Sequence, residues 1–255
     1  MRIAVAQEAA TADVAQNLRT LERLAERAAR AGADLLVTPE LFTTGYDPGR
    51  VHADPSLLPR AAELARRAGV ALVVSEPHDD GTAESITAVV VDRDGTVLGR
   101  YTKTHLYGPA ERAAFAPGDG TPLVVDVAGL RVGVLVCFDV EFPEAVRALA
   151  VAGADVVAVP TAIFDPDVAR LLLPARAYEN RVAVAYANHV GPAADGVSTF
   201  SGGSVVVGPD GRVLARAGRD EAGLLLADVG AADLRDARDV VDYVRERRPE
   251  TYRLG

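Results

Sequence analysis

Three side chains of unlike type stand at like places in this sequence, each just beyond an apolar run that reads as a strand. Cys137, in "RVGVLVCFDVEFPE" (131–144), is the only cysteine of the chain. Glu40 follows "DLLVTP", and Lys103, the only lysine in an arginine-rich chain, follows "GTVLGRYT". A thiol attacks a carbonyl well only as the thiolate, so it needs a base or a neighbouring positive charge. Glu40 can take the thiol proton and later return it to the leaving group. Lys103 can bring positive charge to the developing oxyanion, joined by a backbone N–H just after the nucleophile; one such donor is worth about 3 kcal/mol in the transition state. The tetrahedral intermediate then collapses to an acyl-enzyme, an amine leaves, and water completes a hydrolysis. That scheme calls on no metal and no cofactor.

The three residues are far apart in sequence, so the fold must bring them together. In sheets covered by helices, ligands collect beyond the carboxyl ends of strands, where all three stand. "RIAVAQ" reads as a first strand. "ADVAQNLRTLERLAERAARAG" carries Leu18, Leu21, Leu24, Ala25 and Ala28 on one helical stripe, with Gly32 as a stop. "DLLVTPE", "VALVVSEP" and the hairpin "SITAVVVDRDGTVLGRYTK", turned at Asp94-Gly95, supply further strands around a second helix, "LLPRAAELARRAG". The second half repeats this grammar: "TPLVVDVAGLRVGVLVCF" is strand, turn, strand, "FPEAVRALAVAG" a helix, and "DVVAVPTA" a strand. "PDVARLLLPARAYENR" is a helix expected to kink or break near Pro174. "VAVAYANHVG", "GGSVVVGPDGRVLARAG" and "EAGLLLADVG" complete the strands. "GADLLVTP" at 32–39 matches "GADVVAVP" at 153–160, an offset of 121, and "VVVDRDGTVLGR" matches "VVVGPDGRVLAR" at an offset of 116. The near-equal offsets predict an α/β fold of two similar halves, layered as helix, sheet, sheet, helix. No low-complexity linker divides the chain, so residues 1–230 are expected to form one domain. Residues 231–255 form a tail that packs on it or at an oligomer interface.

Of 255 residues, 49% are hydrophobic and 25% charged, which suits a globular chain with a sizeable core. A net charge of −9 and the lack of a basic stripe argue against a nucleic-acid partner. A lone cysteine forms no internal disulfide and fits a reducing compartment. "MRIAVAQEAA" has no secretory pattern, and the apolar runs are too short to span a membrane, so a cytoplasmic chain is expected.

Glu40 in "TPELF", Lys103 in "KTHLYGPAE" and Cys137 in "CFDVEFPE" resemble the Glu-Lys-Cys triad of the nitrilase superfamily, the carbon–nitrogen hydrolases. "VPTA", "RAYENRVAVAYAN" and "SGGSVVVGPDG" match later family segments in order, so the resemblance covers almost the whole chain. It implies an α-β-β-α sandwich, cofactor-free hydrolysis, and a homodimer or higher assembly of dimers. It also implies that Glu111, in "GPAERAAF", holds the lysine, that the Phe138 N–H serves the oxyanion, and that Thr161 and Ala162 lie at the substrate. Family members more often carry Tyr or Trp after the cysteine; Phe138 leaves the backbone donor intact but alters pocket shape. The short tail after Asp228 favours a closed oligomer, with contacts sought around "PARAYENR" and the tail.

Within the superfamily the chain looks most like the small aliphatic amidases, 5-aminopentanamidase-like and stereoselective amidases among them. The implied partner is a small-molecule amide, cleaved to a carboxylic acid and ammonia. A substrate ammonium would need an acid, for which Glu141, Asp165 and Asp167 are candidates. N-carbamoyl (ureido) hydrolases and nitrilases use the same triad and stand as alternatives. A silent binding module on this fold is opposed by the intact Glu40, Lys103, Glu111 and Cys137. His105 and His189 invite a Cys-His scheme, though His105 better suits a support for the loop after Lys103. Four scattered histidines show no metal-ligand spacing. Arg176, Glu179 and Asn180 read as a buried polar set on a helix, and Asp139 and Glu144 as supports of the nucleophile turn.

Overall fold

The computed structural model describes residues 1–194 and 196–252. Its first sheet runs β1 (Arg2–Gln7), β2 (Leu35–Val37) and β3 (Ala71–Asp79) parallel through the centre. β4 (Glu84–Val91) and β5 (Val97–Thr102) add an antiparallel hairpin at one edge. Its turn falls at Gly95, where φ is 90°, a value glycine adopts without a Cβ clash. The other edge comes from the far end of the chain: β14 (Gly223–Asp228) pairs antiparallel with β1.

The second sheet has the same plan. β7 (Leu130–Val134), β8 (Val156–Thr161) and β9 (Ala183–Asn188) are parallel. β6 (Val124–Val127) lies antiparallel at one edge, and β12 (Val205–Val207) with β13 (Val213–Arg216) forms the antiparallel pair at the other. The expected correspondence holds strand for strand: "GADLLVTP" leads through β2 and "GADVVAVP" through β8, while the two Asp-Gly hairpins are β4–β5 and β12–β13. A small hairpin of β10 (Val190–Pro192) and β11 (Thr199–Ser201) rises above the second sheet.

Helices cover both outer faces. α1 (Val14–Arg30) starts where the Asp13 side chain accepts from the Gln16 N–H at 3.0 Å. It buries Leu21, Leu24 and Ala28 beside α2 (Leu57–Ala68), against Ala4, Ala6, Leu36 and Val74 of the first sheet. α4 (Pro143–Val151) and α5 (Leu173–Asn180) cover the second sheet, packing through Val146, Leu149, Leu173 and Ala177. The alternate residues Ile3, Val5, Leu35 and Val37 turn inward instead, so the period of two along each strand builds two apolar layers at once. Burying one such side chain is worth about 2 kcal/mol.

The segment expected to kink near Pro174 does so just before it. Residues Val168–Leu172 form a π-turn, and α5 restarts with Pro174 in its first turn, where a missing N–H has no helical partner to lose. Residues 231–252 of the tail begin with α6 (Ala231–Val240), docked by Leu234, Ala237 and an Arg238–Asp155 ion pair at 3.0 Å. The last three tail residues, 253–255, lie outside the described residues. Among the described residues no helix is long and apolar enough to cross a membrane.

Candidate active site

Each chemical residue stands just past the carboxyl end of a strand. Glu40 lies beyond β2, Lys103 directly after β5, and Cys137 beyond β7. Lys103 extends the pairing of its strand, its N–H donating to Ile86 O at 2.8 Å. Its carbonyl accepts from the Gly118 N–H at 2.9 Å, and a Cβ on Gly118 would fall 2.3 Å from Thr102 O, so only glycine permits that approach. Cys137 opens a 3₁₀ turn, Cys137–Glu141, and has φ 50°, a left-handed backbone that few non-glycine residues adopt and that active sites often hold.

The loops beyond the strands meet in a closed polar cluster. Lys103 Nζ donates to Glu40 Oε1 and to Glu111 Oε1, both at 2.7 Å, and all three side chains are buried. Glu111, expected from the resemblance to hold the lysine, does contact it. It sits in a helix, α3 (Gly108–Ala114), and also accepts from the Tyr46 hydroxyl at 2.6 Å and the Tyr107 N–H at 2.7 Å. Burial pushes the Glu40 carboxyl up to about 7, with Glu111 adding to the rise, while Lys103 and the Cys137 side chain act in the opposite direction. Glu40 Oε2 has no N–H or O–H partner among the described residues. Burial alone would lower the Lys103 ammonium; the Glu40 and Glu111 carboxylates outweigh it and hold the lysine charged. Burial and the Glu40 charge push the Cys137 thiol well above its ordinary value, with Lys103 and the Ala162 N–H pulling the other way. The sulfur is therefore a thiol at rest, beside a carboxylate able to take its proton and an ammonium able to stabilise negative charge.

The nucleophile turn is held from behind. Asp139, fully buried, accepts from the Tyr101 hydroxyl at 2.9 Å, the Val136 N–H at 3.2 Å and the His105 N–H at 2.8 Å. His105 Nδ1 also meets Asp139 at 2.8 Å, and its ring stacks on Phe142 at 3.8 Å. Arg176 of α5 donates to Val140 O at 3.1 Å and Glu141 O at 2.6 Å. Arg176 thus does more than pair with Glu179 along its own helix: it grips the turn that presents the cysteine.

Residues 2–239 match the carbon–nitrogen hydrolase family. The chain is a carbon–nitrogen hydrolase. It is similar to a solved amidase from Nesterenkonia sp. AN1, at 44% identity and TM-score 0.89 over 98% of this chain and 97% of that one. One structure of a variant of that amidase carries the acetamide moiety of fluoroacetamide covalently added at the active-site cysteine. The chain is 40% identical to an (R)-stereoselective amidase of a Pseudomonas species over 92% of this chain and 87% of the relative. It is 32% identical to the N-carbamoylputrescine amidase of Solanum tuberosum, over 99% of this chain and 93% of the relative.

The other named residues of this carbon–nitrogen hydrolase are placed unequally. The Phe138 N–H lies in the first turn of the 3₁₀ segment, where backbone donors have no carbonyl of their own helix to meet. The Ala162 N–H points its hydrogen bond at the Cys137 sulfur. Thr161 acts through its backbone, its carbonyl accepting from the Glu40 N–H at 3.2 Å, while its hydroxyl donates to Val159 O at 3.1 Å. Glu141 is half-buried, and burial with the nearby Asp165 charge raises its carboxyl. Asp165 and Asp167 are exposed, and Asp167 is paired with Arg170 at 2.9 Å. Neither histidine is turned to the thiol: His105 meets Asp139, and His189 meets the carbonyls of Glu40 and Glu8. Tyr46 was missed altogether, because one tyrosine in a polar loop carries no spacing signal. A cavity of about 430 Å³, reaching the cluster through Tyr46, is lined by Tyr46, His189, Phe200, Thr11, Val51 and Pro192 among others.

Proposed function

We propose that this carbon–nitrogen hydrolase is an amidase for small aliphatic amides, acting through a Cys137 thioester. Glu40 takes the thiol proton as sulfur attacks the amide carbon. Lys103 and the Phe138 N–H face the developing oxyanion. Glu40 then delivers its proton to the departing nitrogen, ammonia leaves, and an acyl-thioester remains. A water deprotonated by Glu40 attacks that thioester, and the carboxylic acid departs as the thiol is restored. Glu111 keeps Lys103 charged and aimed, and Tyr46 fixes Glu111. The observation that carries this reading is the buried Lys103 ammonium bridging Glu40 and Glu111 beside Cys137, whose backbone is left-handed. Such a set has no role in stabilising a core, since burying charge opposes folding.

The amidase relatives favour an amide over a nitrile or a ureido compound. Within the amides, an amino-substituted substrate suits Glu141, a half-buried acid next to Asp165. The Solanum tuberosum relative supports the second reading, an N-carbamoyl substrate cleaved by the same residues. Ammonia release from a panel of short amides, ω-amino amides, N-carbamoyl compounds and nitriles separates them. Amides are expected to turn over fastest; activity confined to carbamoyl compounds or nitriles would defeat the amidase assignment. Intact-mass spectrometry of a slowly deacylated substrate is expected to find the acyl group on Cys137.

One catalytic domain over 1–230 with the tail 231–255 packed on it, working as a homodimer, completes the reading. Tyr178, Leu214 and Val240 leave apolar surface exposed around one groove between α5, α6 and β13, and a second copy would cover it. The cytoplasm suits an enzyme whose nucleophile must stay a thiol.

A further inference from the structure

The Glu40 peptide is gripped on both sides by the opposite sheet. Its N–H donates to Thr161 O at 3.2 Å, and its carbonyl accepts from His189 Nε2 at 2.6 Å. Thr161 ends β8 and His189 follows β9; β8 lies between β9 and β7, the strand that leads to Cys137. Its own sheet holds Glu40 less firmly. β2 has ended by Val37, and Leu41, the next residue along, has φ 49°, a conformation its branched side chain does not favour.

His189 is built to act as a fixed donor. It is 1% exposed and lies between the rings of Phe42 and Phe200, at 6.2 and 5.0 Å. Carbonyl oxygens only accept, so the short contact to Glu40 O assigns the proton to Nε2. Nδ1 faces Glu8 O at 3.3 Å, at the point where Glu8 and His189 bridge the two sheets. Burial lowers this histidine to about 4, which keeps the ring neutral.

We propose that His189 is a positioning residue for Glu40. Through the Glu40 carbonyl it sets how far the carboxylate stands from the Cys137 sulfur across the gap between the sheets. This rests on the reading of Glu40 as the base. A base displaced by a fraction of an ångström loses rate without losing substrate binding, so the effect falls on kcat rather than KM.

Two variants separate the donor from the ring. His189→Phe keeps a flat ring between Phe42 and Phe200 but removes the N–H. His189→Gln removes the ring and keeps an N–H at similar reach. His189→Phe is expected to lower kcat by about 10- to 100-fold with KM within about twofold, and to slow alkylation of Cys137 by iodoacetamide in parallel. His189→Gln is expected to recover most of both rates. In the background of Glu40→Gln, adding His189→Phe is expected to change nothing further, because the histidine acts only through the residue already removed. Losses that multiply in the double variant overturn the proposal, as does a His189→Gln enzyme as slow as His189→Phe. A crippled Glu40→Gln beside a wild-type His189→Phe overturns the histidine's role alone. A fully active Glu40→Gln defeats the assignment of the base and this proposal together.

Discussion

Burial pushes the Glu40 carboxyl up to about 7, and its working form as a base is the ionised one. The ionised fraction therefore falls as pH drops through that value. kcat/KM for an amide is expected to decline about tenfold per pH unit below roughly 7. Glu40→Gln should flatten that limb and lower kcat/KM by about 10²- to 10⁴-fold. Initial rates of ammonia release between pH 5 and 9 test both; an unshifted acid limb in Glu40→Gln would assign it to another group. Tyr46 offers a second residue-scale test. Tyr46→Phe keeps the ring against Phe200 but deletes the hydroxyl that reaches Glu111 Oε1 at 2.6 Å. A hydrogen bond to a charged group is worth about 2 kcal/mol of stability, so the thermal midpoint should fall by several degrees, and kcat should fall as well because Glu111 is less firmly set against Lys103. A wild-type kcat would mean that Glu111 holds Lys103 without help.

At the scale of elements, the strands that carry the site also carry an acid that the chemistry does not use. Glu76, on β3, is buried, and Oε2 has no partner among the described residues. Burial pushes its carboxyl up to about 7, with Arg100 pulling it down and Asp54 adding to the rise. In the unfolded chain a glutamate titrates near 4.3. The folded form thus binds the proton more tightly, so its contribution to stability is complete below the unfolded value and is lost as pH rises through about 7. The loss amounts to at most about 4 kcal/mol. Glu76→Gln, which cannot ionise, should melt at the same temperature as the parent at pH 4 and several degrees higher at pH 8. Parallel melting curves at both values would refute the account. The nucleophile turn makes a similar claim on α5. Arg176→Met removes two donors to the carbonyls of Val140 and Glu141, so kcat is expected to fall while the helix itself, with most of its apolar face intact, remains folded by circular dichroism. An unchanged kcat would show that Asp139 alone suffices to hold the turn.

At the scale of the whole molecule, two similar halves close face to face, and the proposed reacting groups come from both. Glu40 and Lys103 belong to the first sheet's strands, Cys137 to the second. Catalysis therefore depends on the spacing of the sheets as much as on any loop. The outward face tests the assembly. Val240, 74% exposed at the end of α6, should tolerate Val240→Asp in a lone protomer. If α5 and α6 meet a second copy, sedimentation will find that variant as monomer where the parent is dimer; a parent that sediments as monomer, or a variant dimer, would remove this face from the assembly.

Much of this was legible in the chain itself. Period-two and period-3.6 patterning placed the strands and main helices, because burial against a neighbouring layer imposes those periods wherever an element has one apolar face. The paired segments foretold the two halves, and the single cysteine, the single lysine and Glu40 drew attention at strand ends, where chemistry collects. Other features left no such trace. The helix around Glu111 is only seven residues long and starts at Gly-Pro, so its pattern is too short to read. Tyr46 and His189 matter through contacts with residues distant in sequence, and local spacing carries no record of those. Residue types and periodicity determined which groups could react and on which elements they ride. Only the packing of sheet on sheet decided that Lys103 would be shared by two glutamates, that His105 and His189 would face other partners than the thiol, and that burial would raise the Glu40 carboxyl to about 7, since desolvation and charge pairing depend on distances that exist only once the layers have closed.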